Sequence, residues 1–395
     1  MTWLAVVFWA SAAGVLYTYA GYPLVLGVLA GLAQWRSDWR FVSGAGSRRS
    51  SPRAATELPR VAVIVAALDE ERDIEARVRN LLAQDYPAGR LQVHVGSDGS
   101  TDRTAAIVRA IAHPDVHLAD FPARRGKASV LNDLVPAADA DILVFTDANT
   151  VFHADAVRML VRHFDDADVG CVCGELRLVR AGDGGDNQDH VYWRYERMLK
   201  FHESRIGGLL GANGGVYALR RRDYVALPAN TIVDDFWISM QVAERGLRCV
   251  YDPEAIATET VPDHISDEFG RRVRIGTGNY QSLVRFAGLL DPRRGTLALT
   301  FFSHKVLRWL APHLMILALA SSALLAARPF YAALFVAQAV FYASAWIGWR
   351  LARTGSTPKA LRLPLFFVSM NVGLLVGFYR FTRGAGSGAW ARTTR

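Results

Sequence analysis

The chain has 395 residues, a formal net charge of +8, 51% hydrophobic residues and three cysteines, enough length for one large domain with additions. Three cysteines with neither a paired framework nor zinc spacing exclude a disulfide-built or zinc-stapled scaffold and fit a reducing compartment. The positive charge invites a nucleic-acid partner, but most of the surplus lies beside long apolar runs, so membrane lipid is the expected partner and nucleic acid is not.

Residues 3–32 carry no charge and exceed the roughly 20 residues a helix needs to cross a bilayer. This run is expected to span, tilted or bent near Pro23. A signal peptide, the rival reading, would have a basic beginning and a shorter apolar core. Arg36, Arg40, Arg48, Arg49 and Arg53 follow, the last three in a Gly/Ser-rich stretch, so residues 36–59 read as a basic linker.

Residues 61–68 (VAVIVAAL) are apolar and β-branched, and Ile74, Val78, Leu81 and Leu82 then fall at helical spacing, which predicts a strand followed by a helix. Residues 91–112 repeat that pattern. GKASVLNDL (126–134) predicts a helix leading into the strand of DILVFTDANT (141–150), and ADAVRMLVRHF (154–164) predicts the next helix. Cys171 and Cys173 alternate in VGCVCG as strand residues do, and residues 216–219 predict a further strand. Alternation of this kind implies an α/β domain over residues 60–265: a mostly parallel sheet with helices on both faces.

Residues 266–306 are expected to hold helices at the membrane interface, and 307–382 three more spans, at 309–326, 330–349 and 363–379. Arg350, Arg353, Lys359 and Arg362 fill one loop between spans. With the basic segment after the first span, they place the middle region in the cytoplasm by the positive-inside rule. The basic tail, 383–395, fits only if the last span is re-entrant or the tail breaks the rule. A transporter is disfavoured, because His313 is almost the only ionisable group within the spans to mark a substrate path.

In doubly wound sheets ligands bind where strands end, and acids stand there: Asp69 and Glu70, Asp98, and Asp147. One such acid is readily a helix cap. Three strand ends carrying acids are harder to explain that way. Asp234 and Asp235 open another helical stretch, where carboxylates suit the helix dipole, and Gly211, Gly214 and Gly215 mark either close backbone approach or a tight turn.

In order, AALDEE (66–71), GSDGSTD (96–102), RRGKASVLN (124–132), FTDANT (145–150) and IVDDFWISMQVAERGLRCVYDP (232–253) resemble the motif series of family 2 glycosyltransferases, of the membrane-embedded bacterial type that builds polysaccharides. Five motifs in the right order make a specific signal where one would not. The resemblance implies a GT-A nucleotide-sugar-binding domain flanked by transmembrane helices in the inner (cytoplasmic) membrane. It implies transfer from a nucleotide sugar, UDP-linked, to a lipid-linked or polysaccharide acceptor, by an inverting mechanism. A processive synthase with coupled export is an alternative, and an inactive nucleotide-binding regulator is another.

Carried over residue by residue, the resemblance places Ala67, Asp69, Glu70 and Asp98 at the nucleotide, with Asp98 meeting the uracil imide, and Lys127 along the nucleotide. Asp147 and Asn149 stand as the metal-binding pair, for Mg2+ or Mn2+, with an amide where the family has its second acid. Asp235 stands as the catalytic base, and Asp234, Gly214 and Gly215 border the acceptor. Arg271 and Arg274 fall where the synthases carry Gln-x-x-Arg-Trp. Arg274 is matched and expected at the diphosphate, whereas Arg271 and Ile275 replace the Gln and Trp. Lipid headgroups are the competing partner for these arginines.

Overall fold

The computed structural model describes residues 2–44, 58–179, 188–260, 265–353 and 357–384. The chain opens with α1 (Trp3–Leu16) and α2 (Tyr22–Val42), joined without a break by a π-helical turn, Tyr17–Gly21. Within that turn Thr18 Oγ1 donates to the Gly14 carbonyl at 2.8 Å. The helix continues to Val42, past the end expected at residue 35, because Arg36, Arg40 and the residues between them are compatible with a helix that has left the bilayer. Residues 45–57 of the expected linker lie outside the described residues.

An eight-stranded sheet forms the centre, in the order β3-β2-β1-β4-β7-β6-β8-β5. β1 (Val61–Ala67) is buried along its length, as a run of apolar residues covered on both faces requires. It pairs in parallel with β2 (Leu91–Asp98) and β4 (Ile142–Asp147), and β2 pairs in parallel with β3 (Val116–Phe121). β5 (Thr150–Phe152) follows at once, then β6 (Val169–Val179), β7 (Tyr217–Arg220) and β8 (Arg248–Thr260). β7 runs antiparallel to β4 and β6, β6 parallel to β8, and β5 antiparallel to β8. The expected parallel arrangement therefore holds from β3 to β4, where helices make the crossovers, and becomes mixed beyond β4. Cys171 and Cys173 are buried strand residues of β6.

α3 (Ile74–Leu82), α4 (Thr104–Ile111) and α6 (Ala156–Val161) cover one face, burying Ile74, Val78, Leu81, Val108, Val157 and Leu160, with α3 and α4 over β2 and α6 over β6, β7 and β8. α5 (Lys127–Ala137) and α8 (Asp234–Glu244) cover the other, and α7 (Gln188–Arg205) lies between β6 and β7 in the chain. The core under α5 and α8 does not stop at the domain: it runs on through Phe286 and Leu289 to Phe301, Val306 and Trp309.

Those last residues belong to the second apolar block. α9 (Ile265–Arg285) leads to α10 (Thr296–Thr300), a π-helical segment Phe301–Val306, α11 (Leu307–Leu324), α12 (Pro329–Ala352) and α13 (Lys359–Thr382). Four helical runs are long and apolar enough to cross a membrane: Trp3–Val42, Thr296–Leu324, Pro329–Ala352 and Lys359–Thr382. The expected segments 3–32, 330–349 and 363–379 lie within such runs, and 309–326 overlaps one that ends at Leu324. The run expected to start at 309 begins thirteen residues earlier, because Thr300 and Ser303 are buried within the helix junction, where Thr300 Oγ1 donates to the Gly208 carbonyl. Residues 385–395 of the tail lie outside the described residues.

α9 packs on α13 glycine to glycine. A Cβ on Gly377 would lie 2.7 Å from the Gly276 carbonyl carbon and the Thr277 nitrogen, so the two backbones touch where any side chain would part them. Gly377→Ala should therefore lower thermal stability in detergent by roughly 1–3 kcal/mol. Gly288→Ala, which meets nothing within 4 Å, should leave the melting temperature unchanged; equal melting of the two variants would contradict the close crossing.

Candidate active site

The loops after β1 and β2 are laced together. Asp69 Oδ1 accepts the Thr101 N–H at 2.8 Å, and its own N–H donates to Ser100 Oγ at 3.1 Å. The Glu70 N–H donates to Thr104 Oγ1 at 2.8 Å and the Glu71 N–H to Asp102 Oδ2 at 3.1 Å. Asp69 takes a positive φ of 54° to do this, a conformation Asp tolerates better than most. The Asp69 carboxylate and the Glu70 backbone are thus engaged in joining two loops, and both residues are partly exposed. Ala67 is fully buried, so its side chain is core.

Asp98 is engaged in the same way. It is fully buried at the end of β2, and its carboxylate accepts the N–H of Arg125 at 2.7 Å and of Gly126 at 2.8 Å. Both oxygens hold the loop that precedes α5, a clamp on the RGK segment. Gly126 sits there at φ +91°, a backbone that favours glycine.

The clamp aims Lys127 at the centre of the site. Its Nζ lies 2.8 Å from Asp147 Oδ1 and 3.2 Å from Asp234 Oδ2. Burial alone would depress that ammonium, but Asp147 and Asp234 outweigh it and hold the pKa above the usual lysine range. Beneath Asp147, Arg77 is fully buried, donates to Thr146 Oγ1 and Asn80 Oδ1 at 2.6 Å each, and stacks on Phe152. Burial lowers it to about 9, with Asp147 opposing. Arg77 thereby braces both strands that flank the 147–149 turn. Asn149 donates Nδ2 to Glu259 Oε1 at 3.0 Å, a contact made possible because β5 and β8 register Thr150 with Glu259.

Asp147, Asn149 and Glu259 offer hard oxygen donors, which suit Mg2+ or Mn2+. Among the described residues no three of His, Cys, Asp and Glu converge into a metal cage. That fits the habit of Mg2+, which keeps few protein ligands and completes its shell with water and substrate phosphate.

Asp234 and Asp235 form the first turn of α8. Asp234 pairs with Lys127, whereas Asp235 Oδ1 accepts only the N–H of Phe236, at 2.8 Å. Burial first, then the neighbouring Asp234 charge, push the Asp235 carboxyl up to about 6, against the pull of Lys127. Gly214 borders it: a Cβ there would lie 3.0 Å from Asp235 Oδ2, and one on Gly215 2.9 Å from Thr150 Oγ1. Neither glycine has a positive φ, so close approach and not turn geometry explains both. Gly211, at φ +81° and against Phe236, has both reasons.

α9 supports this corner. Gly278 packs on Ile232 and Val233, and Gln281 bonds the backbone of Asn230 and Ile232. Arg272 donates to Ser369 on α13 and stacks on Phe366. Arg274 is exposed and forms no ion pair among the described residues, and Arg271 is half-buried on the same helix. Arg77, Asn213 and Glu259 were not singled out beforehand. Glu259 is placed by long-range strand pairing, which leaves no local signal, and Arg77 reads as one more polar residue of an amphipathic helix.

Residues 62–226 match the family model described as glycosyl transferase family 2. Over 254 residues the chain is 27% identical to a poly-beta-1,6-N-acetyl-D-glucosamine synthase of Staphylococcus aureus (strain COL), covering 62% of this chain and 61% of that protein. It is 26% identical over 242 residues to an N-acetylglucosaminyltransferase of Rhizobium meliloti (strain 1021), covering 57% of each. The chain thus spans about three fifths of the length of these curated relatives. A mannosyltransferase from Pyrobaculum calidifontis, solved with GDP-Man and Mn2+, superposes with a TM-score of 0.68 at 24% identity, over 94% of this chain and 98% of that one. That likeness extends to the fold of the flanking helices.

The clamp makes a prediction independent of activity. In Asp98→Asn an amide replaces one of the two acceptors facing the Arg125 and Gly126 N–H groups, which should cost about 1–3 kcal/mol. Limited trypsin digestion should then cut faster at Arg124 and Arg125; unchanged cutting and unchanged melting would contradict the clamp.

Proposed function

The chain carries a glycosyl transferase family 2 domain, and on that premise we propose that it transfers a sugar from a nucleotide-sugar donor, UDP-linked, to a lipid-linked or polysaccharide acceptor at the cytoplasmic membrane surface, with inversion. The observation that supports this most is the division of labour among three acids. Asp147 and Asp234 share one ammonium, while Asp235 is left unpaired by any cation among the described residues, with its pKa near 6.

Asp235 accepts the proton of the acceptor hydroxyl as that oxygen bonds to the anomeric carbon, and the electron pair of the breaking bond leaves with the diphosphate. A carboxylate near 6 is ionised at neutral pH yet basic enough to serve. Lys127 is placed to meet negative charge on the departing diphosphate, where a fixed ammonium in a water-poor site counts for more than in bulk. Gly214 leaves Asp235 uncovered for the acceptor. A divalent cation, Mg2+ or Mn2+, would be held by Asp147 and Asn149 and would act as a Lewis acid toward the diphosphate. Arg36 and Arg40 at the end of α2, with Arg350 and Arg353 at the end of α12, support a cytoplasmic domain in the inner membrane. The name of the staphylococcal relative supports a processive variant of the same chemistry; product length separates the two.

Protein in lipid nanodiscs, given a panel of radiolabelled nucleotide sugars and membrane lipid extract with and without Mn2+, should transfer one of them; no transfer and no nucleotide release from any donor sinks the proposal. Asp235→Asn should lower kcat by roughly 10²–10⁴ while keeping donor affinity. In the native chain, log kcat/KM should fall with unit slope below about pH 6, because protonation removes the base; a profile flat down to pH 5 would mean Asp235 is misassigned. The Asp235 ionisation is opposed by folding, so its raised pKa stabilises the fold below about pH 4 and costs stability above 6. Asp235→Asn should accordingly melt higher than the native chain at pH 8. Asp147→Ala should weaken both metal and donor binding, and intact Mn2+ dependence in that variant would exclude its role.

A further inference from the structure

Two ammonium groups that touch the segments bordering Asp235 have no part in the chemistry above. Lys200, on α7, is buried and donates to Asn213 Oδ1. Asn213 directly precedes Gly214, the residue that borders the Asp235 carboxylate. Lys305, in the π-helical segment before α11, is half-buried, and its Nζ lies 5.8 Å from the ring centroid of Phe236, the residue after Asp235. Each lysine lies within the other's electrostatic reach. The two therefore approach the segments next to the base, at Asn213 and at Phe236, from two different elements.

Neither lysine forms an ion pair among the described residues; Glu196 and Glu203 attract Lys305 through space, but both carboxylates are engaged by other partners. Glu196 pairs with Arg308 and faces His304 at 3.4 Å. Glu203 Oε1 accepts from Tyr22 Oη at 2.6 Å and meets His304 Nδ1 at 2.7 Å. Only Glu203 Oε2 lacks a partner there, so an internal counter-ion is the competing account. Keeping unpaired ammonium groups out of water is costly, and an anionic ligand offsets that cost. The donor diphosphate already has Lys127, so a second cation pair answers to a second anion. Ala212, Asn213, Gly214 and Asp235 are all partly exposed, which leaves this corner reachable. Lys305 lies inside the candidate span Thr296–Leu324, so the anion arrives on a lipid.

We propose that Lys200 and Lys305 form a subsite for the phosphate of a lipid-borne acceptor, a phosphate ester on an apolar chain whose attached sugar hydroxyl faces Asp235. This inference rests on the glycosyl-transfer reading and narrows its acceptor. The linking phosphate stays intact in the reaction: the only bonds changed are those at the transferred anomeric carbon, with the proton going to Asp235.

The test uses the full chain in phosphatidylcholine nanodiscs doped with an isoprenyl phosphate, the matching isoprenol or phosphatidic acid, and separately inorganic phosphate in the buffer. Binding is read from tryptophan fluorescence, since Trp309 packs on Phe236 at 5.9 Å, and by melting temperature. Isoprenyl phosphate should bind saturably and isoprenol should not. Lys305→Met and Lys200→Met should each raise the half-saturating fraction about ten-fold, the effect of losing one charge-assisted hydrogen bond. Lys305→Arg should restore most of the affinity, which a merely structural lysine would not require. Equal binding of isoprenol, an unchanged affinity in Lys305→Met, or equal occupancy by phosphatidic acid or inorganic phosphate would overturn the subsite. Asp235→Asn should still bind isoprenyl phosphate. Lipid binding without transfer of any sugar would therefore count against the activity alone, and transfer without lipid-phosphate binding against the subsite alone.

Discussion

Lys127 reaches two carboxylates that stand far apart in the chain, Asp147 at the end of β4 and Asp234 at the start of α8. Two acids in so confined a place repel one another unless a cation lies between them. The ammonium removes that repulsion and, by pairing with Asp234, leaves the adjacent Asp235 as the acid with a raised pKa. Everything that positions Lys127 therefore also sets the proton affinity of its neighbour. Asp98 does so directly, because its buried carboxylate fixes the two peptide groups just before the lysine. The laced loops after β1 and β2 do so at one remove, by holding the end of β2 in place.

The same corner is joined to the apolar helices. Phe236 packs against Trp309, Lys305 lies over the ring of Phe236, and α9 presses Gly278 on the residues just before the acid pair. α9 in turn touches α13 backbone to backbone at Gly276 and Gly377. A displacement of the membrane helices relative to the sheet would thus be felt at Asp235 through packed side chains, without any intervening flexible segment among these contacts. Two π-helical turns meet at this junction, with Tyr17 Oη 2.9 Å from Ser303 Oγ and Tyr22 stacked on His304. Such turns are frequent at functional positions, and here they bring polar side chains out of otherwise apolar helices.

By itself the amino-acid sequence determined the α/β class, the apolar segments and the order of the motifs, because periodicity and strand-end acids are local properties. It also marked Asp235, Asp147 and Lys127 as members of one site through a family resemblance. Only the tertiary structure decided what each acid does. Asp98 and Asp69 look as available as Asp147 in the sequence, yet their carboxylates are occupied by backbone N–H groups from loops that no spacing rule connects. The pairing of β5 with β8 brought Glu259 to Asn149, and helix packing brought Lys200 to Asn213 and Lys305 to Phe236. Hydrogen-bond satisfaction and long-range contact are properties of the folded chain, and they separate a structural carboxylate from a chemical one.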